Sequence, residues 1–557
     1  MSIIKVENLD FKINKKYVLK DVSFDVKEKS ITGLIGPDAG GKTSLIRNIA
    51  GLLKPSSGKI FVFDYEAYEN KHKILCNVGY MPQTFGLYED LTVYENLKLF
   101  CSLKGINQSK TLDTINNILE FTNLSQFKNR LSGKLSGGMK QKLGLGCAIM
   151  GEPKLLILDE PSVGVDPLSR VELINMIKKM KDKGTAILWA TSYLNEIDYF
   201  DDVIILNEGK LIYKGDKNIL TEKVKNRVYN IELKTQENMR NVFVNLITKK
   251  DVFKDFVPQG RYIKVLLYDN NTGSDVYPGL KKTEPSYEDG VIDMLGANGF
   301  KVPKLLNELK LPNYNIEYPI QAINLQKKYG DFYAVKDNSF KIKRGEIFGL
   351  LGPNGAGKST TFKMICSLIK PTEGNVKIMD INVTKDPFKA KEFIGYMAQK
   401  FSLYGNLTVY QNLNFFASLY GLSNHKKKEQ IEAVAEIFNL NKFYDVYASD
   451  LSIGYKQRLS LAKSILHFPP CLFLDEPTSG VDPISRREFW DYINILSLKG
   501  ITVMITTHFM DEASYCDRIS LFYKGESIAL GTPSEIINEY SSDDTLENAF
   551  INLINKY

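Results

Sequence analysis

Two stretches of the chain share one change of rhythm. ITGLIG from Ile31 and EIFGLLG from Glu346 are short runs that are apolar at nearly every position. A run this short and this apolar reads as a strand buried on both faces. Each passes into a glycine-rich turn and then into an amphipathic helical pattern, so strand, loop, helix is predicted twice. LLILDE and CLFLDE repeat the buried-strand pattern and close on paired acids, Asp159–Glu160 and Asp475–Glu476. RVYNIEL and YIKVLLYD read as strands, with TQENMRNVFVNLITK between them as a helix. Tyr287, Val291, Met294 and Leu295 share one helical face, as do Leu546, Phe550, Leu553 and Ile554, the pattern of a packed terminal helix.

These coincidences are one repeat. GPDAGGKT and GPNGAGKS are related by a shift of 316, from Gly36 to Gly352, and the same shift carries Gln83 to Gln399, Ser136 to Ser452, Asp159 to Asp475 and Gly209 to Gly525. About 200 residues repeat without net insertion, which is duplication of a whole domain and not a solenoid of short units. The tail helices are related by a shift of only 259, from Tyr287 to Leu546, so the first half carries 57 more residues, the difference of the two shifts. The predicted organisation is a first domain at 1–223, a small β-α-β insert at 224–285, a tail helix at 286–295, a linker at 296–319, and a second domain with its own tail helix at 320–557. The linker reaches at most ~80 Å when extended, enough for the halves to meet in almost any orientation.

Composition narrows the class. The 557 residues are 43% hydrophobic and 25% charged, ordinary for a globular protein of several domains. A net charge of +7 is too mild to announce a nucleic-acid partner. No run reaches the ~18 apolar residues of a membrane span. The first residues do not read as a secretory signal. Six separated cysteines without CxxC spacing read as reduced core thiols of a cytosolic protein, and four scattered histidines argue against a zinc site.

The chemistry lies in the loops. The first turn is Gly36, Pro37, Asp38, Ala39, Gly40, Gly41, Lys42, Thr43 and Ser44; the second is Gly352, Pro353, Asn354, Gly355, Ala356, Gly357, Lys358, Ser359 and Thr360. Glycines let the backbone approach phosphates, successive N–H groups form an anion nest, and the helix start adds partial positive charge. Lys42 and Lys358 are placed for the β- and γ-phosphates of ATP; Thr43 and Ser359, with Asp159 and Asp475, suit Mg²⁺. Glu160 and Glu476 suit polarising a water molecule. LSGGMKQ sets Ser136, Gly137 and Gly138 at another helix start, a second anion site; LSIGYKQ sets Ser452 and Gly454 there. One domain cannot bring both anion sites to one phosphate chain, which argues for head-to-tail pairing of the two domains.

With Gln83, ILDEP and VGVD in the first half, and Gln399, FLDEP, SGVD and TTHFMDEA in the second, these motifs resemble an ABC ATPase over nearly the whole chain apart from insert and linker. LTVYENL, TTHFMDEASYCDRI and GTPSEI narrow the resemblance to the drug-resistance branch of ABC type-2 exporters. The resemblance implies an α/β fold of two tandem P-loop domains, each a RecA-like core with an antiparallel β subdomain and a helical subdomain. It implies MgATP hydrolysis, with Gln399 and His508 joining Glu476 and Glu160, Gln83 and Gln399 adding to the Mg²⁺ shell, and Tyr329 stacking on adenine. It also implies two ABC type-2 permease subunits as separate chains, alike or different, received at 85–100 and 401–416. The chain is then expected at the inner face of the cell membrane, serving drug or small-molecule efflux, with no nucleic acid. The alternative is an ABC-F-like ATPase on the ribosome, which goes with a long charged linker and an SHDRxFL ending that this chain lacks.

The halves differ at four informative positions. Ile13 stands where the second half has Tyr329, with Phe11 a possible aromatic substitute; Asp38 adds a charge to the first loop; Ser192 replaces His508; and Ile453 replaces Gly137, where it is expected to distort the helix start. Under head-to-tail pairing all four fall in one composite site. The expectation is a catalytic second site and a degenerate first site that still binds MgATP through Lys42, Gln83, Asp159 and Glu160.

Overall fold

The apolar runs form the centre of a six-stranded sheet in each half. In the first half the order is Lys210–Asp216, Asp202–Asn207, Ile31–Ile35, Ala186–Thr191, Leu155–Asp159, Val78–Met81. Ile31–Ile35 is flanked by parallel neighbours on both sides and buried at every position, which is why the sequence shows no alternation there. The second half repeats the order with Glu526–Gly531, Arg518–Tyr523, Ile347–Leu351, Thr502–Thr507, Cys471–Asp475 and Ile394–Met397. This computed structural model describes residues 2–83, 86–233, 242–243, 245–249, 251–259, 262–269, 277–296, 314–541 and 545–556. Phe85, most of the insert's predicted helix and linker residues 297–313 lie outside them.

Each half adds a four-stranded antiparallel sheet and a helical subdomain. The first antiparallel sheet runs Lys16–Lys27, Ser2–Ile13, Ser57–Val62, Tyr65–Glu66. Ile4, Val6, Leu9 and Phe11 of its second strand enter the same core as Leu34 and Leu45. The helical subdomains comprise Val93–Leu103, Gln108–Phe121 and Gly137–Ala148, and Val409–Leu419, Asn424–Ile437 and Ile453–Ile465. Thr92 with Glu95, and Thr408 with Gln411, form capping boxes that start the first helix of each set. Five cysteines are buried thiols, but Cys76 is exposed, which corrects the reading of all six as core residues.

The chain does not divide at the linker alone. One compact unit consists of Met1–Lys225 and Glu284–Gly296; the other consists of Asn226–Thr283 and Ala297–Tyr557. The insert in the first half of the sequence therefore belongs structurally with the second domain. Both predicted strands are there, Val228–Glu232 and Tyr262–Leu267, and residues 242–243 and 245–248 between them are helical; two further strands complete a four-stranded antiparallel sheet in the order Phe253–Gln259, Tyr262–Leu267, Val228–Glu232, Leu280–Lys282. The unforeseen strands lie at the two edges, where Pro258 is tolerated and three residues suffice. Phe243 and Ile247 enter the apolar core that holds Phe489, Trp490 and Ile493 of the second domain. Phe256 meets Phe243 edge-on at 4.9 Å, and Asp255 pairs with Arg487 at 3.2 Å.

The chain then returns to the first unit. Tyr287–Leu295 packs on Asn218–Val224, where a Cβ at Gly290 would fall 2.4 Å from the Leu220 carbonyl oxygen. Leu546–Lys556 packs on Pro533–Tyr540 in the same way. Among the described residues no helix is long and apolar enough to cross a membrane.

Candidate active sites

Both phosphate loops leave the carboxyl end of a central parallel strand, the crevice where open α/β sheets bind ligands. Gly41 and Gly357 hold φ near 101° and 103° immediately before the helices Lys42–Ile49 and Lys358–Ile365. Lys42 is buried and its Nζ donates to the carbonyls of Gly36 at 2.8 Å and Pro37 at 3.3 Å. Lys358 donates to Gly352 at 2.5 Å and Pro353 at 2.9 Å. Each ammonium is thus folded over its own loop. At one matched left-handed position the residue types differ: Gly355 takes a φ of 81° without strain, whereas Ala39 holds 60°. A left-handed non-glycine residue costs about 1–2 kcal/mol. Ser44 and Thr360 occupy the second turn position, half-buried behind the lysines.

The paired acids end their strands alike. Glu160 and Glu476 both hold left-handed backbone, with φ of 54° and 44°. Such strain persists where the surrounding structure enforces it and clusters at functional sites. Oδ1 of Asp159 accepts from the Thr43 hydroxyl at 3.3 Å, while its buried Oδ2 has no hydrogen-bond partner. An orphaned carboxylate oxygen beside that hydroxyl is the donor set a hard divalent cation takes, so these residues fit Mg²⁺. Burial pushes the Asp159 carboxyl up to about 6, with Glu160 adding to the effect and Thr43 opposing it. In the second half Asp475 accepts from Thr506 at 2.5 Å instead, and Ser359 is exposed; the position matching Thr506 is Ala190.

The carboxylates of the candidate bases are held differently. Nε2 of Gln399 donates to Oε2 of Glu476 at 2.7 Å, and Nδ1 of His508 lies 3.4 Å from the same oxygen. Burial favours the neutral acid, but His508, Lys358 and Gln399 outweigh it and hold Glu476 below the usual carboxylate range. Gln83 is exposed, and the Glu160 oxygens accept from Ser192 N at 2.9 Å and Ser192 Oγ at 2.5 Å.

The signature serines cap helices. Ser136 Oγ accepts from Met139 N at 3.3 Å, and Ser452 Oγ from Tyr455 N at 3.5 Å. The caps have nearly the same backbone angles, −66° and 162° against −62° and 162°, so Ile453 does not distort the helix start. Its effect is bulk at a position where Gly137 has none. Gly138 and Gly454 face Ser169 and Ser485, where an added Cβ would come within 2.6 Å and 2.5 Å, so both halves keep glycine there.

Tyr329, expected to stack on the base, and the matching Ile13 are each 51% exposed. Phe11 is buried in the core and cannot stand in for an aromatic, a correction to the expected substitute. Tyr17, which pairs across the hairpin with Lys12, is the half-exposed aromatic there. Behind each switch position lies a buried acid that motif reading missed. Glu512 accepts from Thr507 at 2.7 Å and from Thr478, and lies 4.0 Å from Arg486. Glu196 accepts from Ser162 at 2.5 Å and lies 3.4 Å from Arg170. Burial raises both carboxyls, with the arginines opposing. The shift of 316 relates the two acids, and that was the available signal.

Residues 19–163 and 335–479 match the ABC transporter family model. The chain belongs to the ABC transporter family. It is an ATPase with two tandem ATP-binding domains. It is 47% identical over 95% of its length to the probable multidrug ABC transporter ATP-binding protein YbhF of Escherichia coli, covering 93% of that relative. A single-domain stretch is 38% identical to the linearmycin resistance ATP-binding protein LnrL of Bacillus subtilis, over 41% of this ABC ATPase and 74% of LnrL. Among solved structures, an ATP-binding subunit of an ABC transporter is 27% identical, with 42% of this chain and 99% of that one covered and a TM-score of 0.40.

Proposed function

We propose that this ABC ATPase drives an exporter whose membrane spans are separate chains, two ABC type-2 permeases, and that its domains close head to tail on two MgATP. Hydrolysis falls mainly to the site built on the second phosphate loop. The observation that carries this is the Gln399–Glu476–His508 cluster, set against a Glu160 that has neither a glutamine nor a histidine partner and is met by Ser192 and, at 3.7 Å, by the Lys42 ammonium. A carboxylate held charged can accept a proton from attacking water; Gln399 orients it, and His508 supplies a neighbour that can carry positive charge. Bound Mg²⁺ would screen the phosphate charge, with Ser359, Asp475 and Gln399 in reach at the second site, and Thr43, Asp159 and Gln83 at the first. The names of the relatives, a multidrug transporter's and a linearmycin resistance ATP-binding protein, support drug or small-molecule efflux, and a place at the inner face of the cell membrane is part of the same proposal. Segments 85–100 and 401–416 are the proposed seats for the permeases, the second carrying exposed Tyr404 against Phe415 at 4.9 Å.

The test is turnover of Glu476→Gln and Glu160→Gln in the complete transporter. Loss on the order of 10²–10⁴ is expected for the first and much less for the second. Equal loss would overturn the assignment, and recovery of the chain on ribosomes instead of with membranes would overturn the exporter.

A further inference from the structure

In the second domain the signature helix reaches back to the Gln loop. Lys463, in the last turn of Ile453–Ile465, is buried, and its Nζ donates to the carbonyls of Phe401 at 2.7 Å and Ser402 at 2.8 Å. Ser460, one turn earlier, donates to the same Phe401 carbonyl at 3.0 Å. The Phe416 ring centroid lies 4.5 Å from Nζ. Burial pushes this ammonium down to about 8, so the carbonyls and the ring stand in for water around it. Ser402 holds left-handed backbone at a φ of 49°. Two residues before Phe401 is Gln399, whose amide holds Glu476. The other end of the helix is Ser452 of the signature.

The first domain cannot copy this arrangement. Its matching positions are Gly144 and Cys147, so neither the hydroxyl nor the ammonium is present.

We infer that Lys463 is a positioning residue that couples the signature of the second domain to its own Gln loop. This rests on the head-to-tail reading above, in which Ser452 meets nucleotide on the first phosphate loop while Gln399 serves the second. An α-helix of this length is a stiff rod of ~20 Å. Nucleotide drawing on Ser452 shifts the rod, Lys463 carries the Phe401 and Ser402 carbonyls with it, and Gln399 is set against Glu476. The degenerate site thereby licenses the catalytic one, and Gly144 and Cys147 offer neither donor for the same path in the opposite direction.

The experiment compares Lys463→Met, Lys463→Arg and Lys42→Ala in the complete transporter, singly and combined. Allosteric couplings span roughly 5–150-fold, and about tenfold is expected here. Lys42→Ala should lower turnover about that much; Lys463→Met should lower kcat similarly with KM for ATP unchanged; the double variant should be no slower than either. Lys463→Arg, which keeps a donor, should restore most of the rate. Ser460→Ala, with smaller loss of packing, should give a partial effect of the same kind. Losses that multiply in the double variant, or wild-type turnover in Lys463→Met, would overturn the coupling. Cysteines placed in the second phosphate loop and the first signature, sparing Lys358 and Ser136, report the pairing separately: no intramolecular cross-link in ATP would overturn the head-to-tail reading, whereas a cross-link with multiplying losses would overturn the coupling alone.

Discussion

Ser192 holds both oxygens of Glu160, one through its backbone N–H and one through its hydroxyl. A neutral serine, with the Lys42 ammonium 3.7 Å away, therefore stands where His508 and Gln399 meet the matching Glu476 of the second domain. Ser192→Ala should change steady-state turnover of the complete transporter by less than about threefold, while His508→Ala should cost on the order of 10²-fold or more. ATPase assays at saturating MgATP make the comparison. Similar losses from both would show that the serine and histidine do equal work.

Asp159 gives a pH signature in the nucleotide-free protein. Its folded pKa of about 6 lies above the ordinary 3.8, so the folded state holds the proton more tightly than the unfolded chain. That contribution is fully present below about pH 4 and is lost as pH rises through 6. Asp159→Asn removes the penalty on the charged form, which amounts to about 3 kcal/mol at full ionisation. The variant should melt several degrees higher than wild type at pH 7–8 without Mg²⁺ or nucleotide, and the gap should close below pH 4. A lower melting temperature at pH 8 would contradict the burial argument.

Tyr329 and Phe11 separate a binding role from a packing role. Aromatic stacking on a base contributes about 1–3 kcal/mol, so Tyr329→Ala should weaken nucleotide affinity roughly 5–150-fold with little change in melting temperature. Phe11→Ala should do the reverse, destabilising the first unit by about 3–5 kcal/mol through a core cavity. Titration with a fluorescent ATP analogue and thermal denaturation read the two effects independently.

Glu512 ties three pieces of the second site together: the strand end before His508, the turn after the paired acids, and the helix carrying Arg486. Glu512→Ala leaves that arginine buried beside a void and should cost about 3–5 kcal/mol. Glu512→Gln keeps the hydroxyl contacts and should cost less. Denaturant unfolding of the two variants settles the order: a Gln variant as stable as wild type would mean the charge pair is irrelevant, and equal destabilisation of the two would mean that the lost charge, not the hydroxyl contacts, carries the whole effect.

Much of this was legible along the chain because the chemistry is local. Strands buried on both faces, such as Ile31–Ile35, show as unbroken apolar runs, and glycine spacing marks the loops between strand and helix. The hidden parts are those set by distant contacts. Nothing near Asp255 announces Arg487, and nothing near Phe401 announces Lys463. Phe11 looked available because it lies two residues from Ile13, but alternation along a bulged strand turns it into the core. Ile453 looked disruptive because glycine stands in the other half, yet the Ser452 cap keeps the backbone angles of Ser136 and the helix starts normally.

The docking of the insert on the second domain also fixes an order of events during synthesis. The face carrying Phe243 and Ile247 leaves the ribosome long before Pro483–Leu498, the helix that bears its partner Arg487. At roughly 5–20 residues per second, the intervening stretch of about 240 residues takes on the order of 12–48 seconds to make. Through that interval Tyr287–Leu295 can already return to Asn218–Val224 and close the first unit, because every surface it needs exists. The insert must wait with an apolar face in water, and its small sheet has to hold its own shape on the strength of Tyr229, Ile231, Leu246 and Ile263 until the second domain arrives.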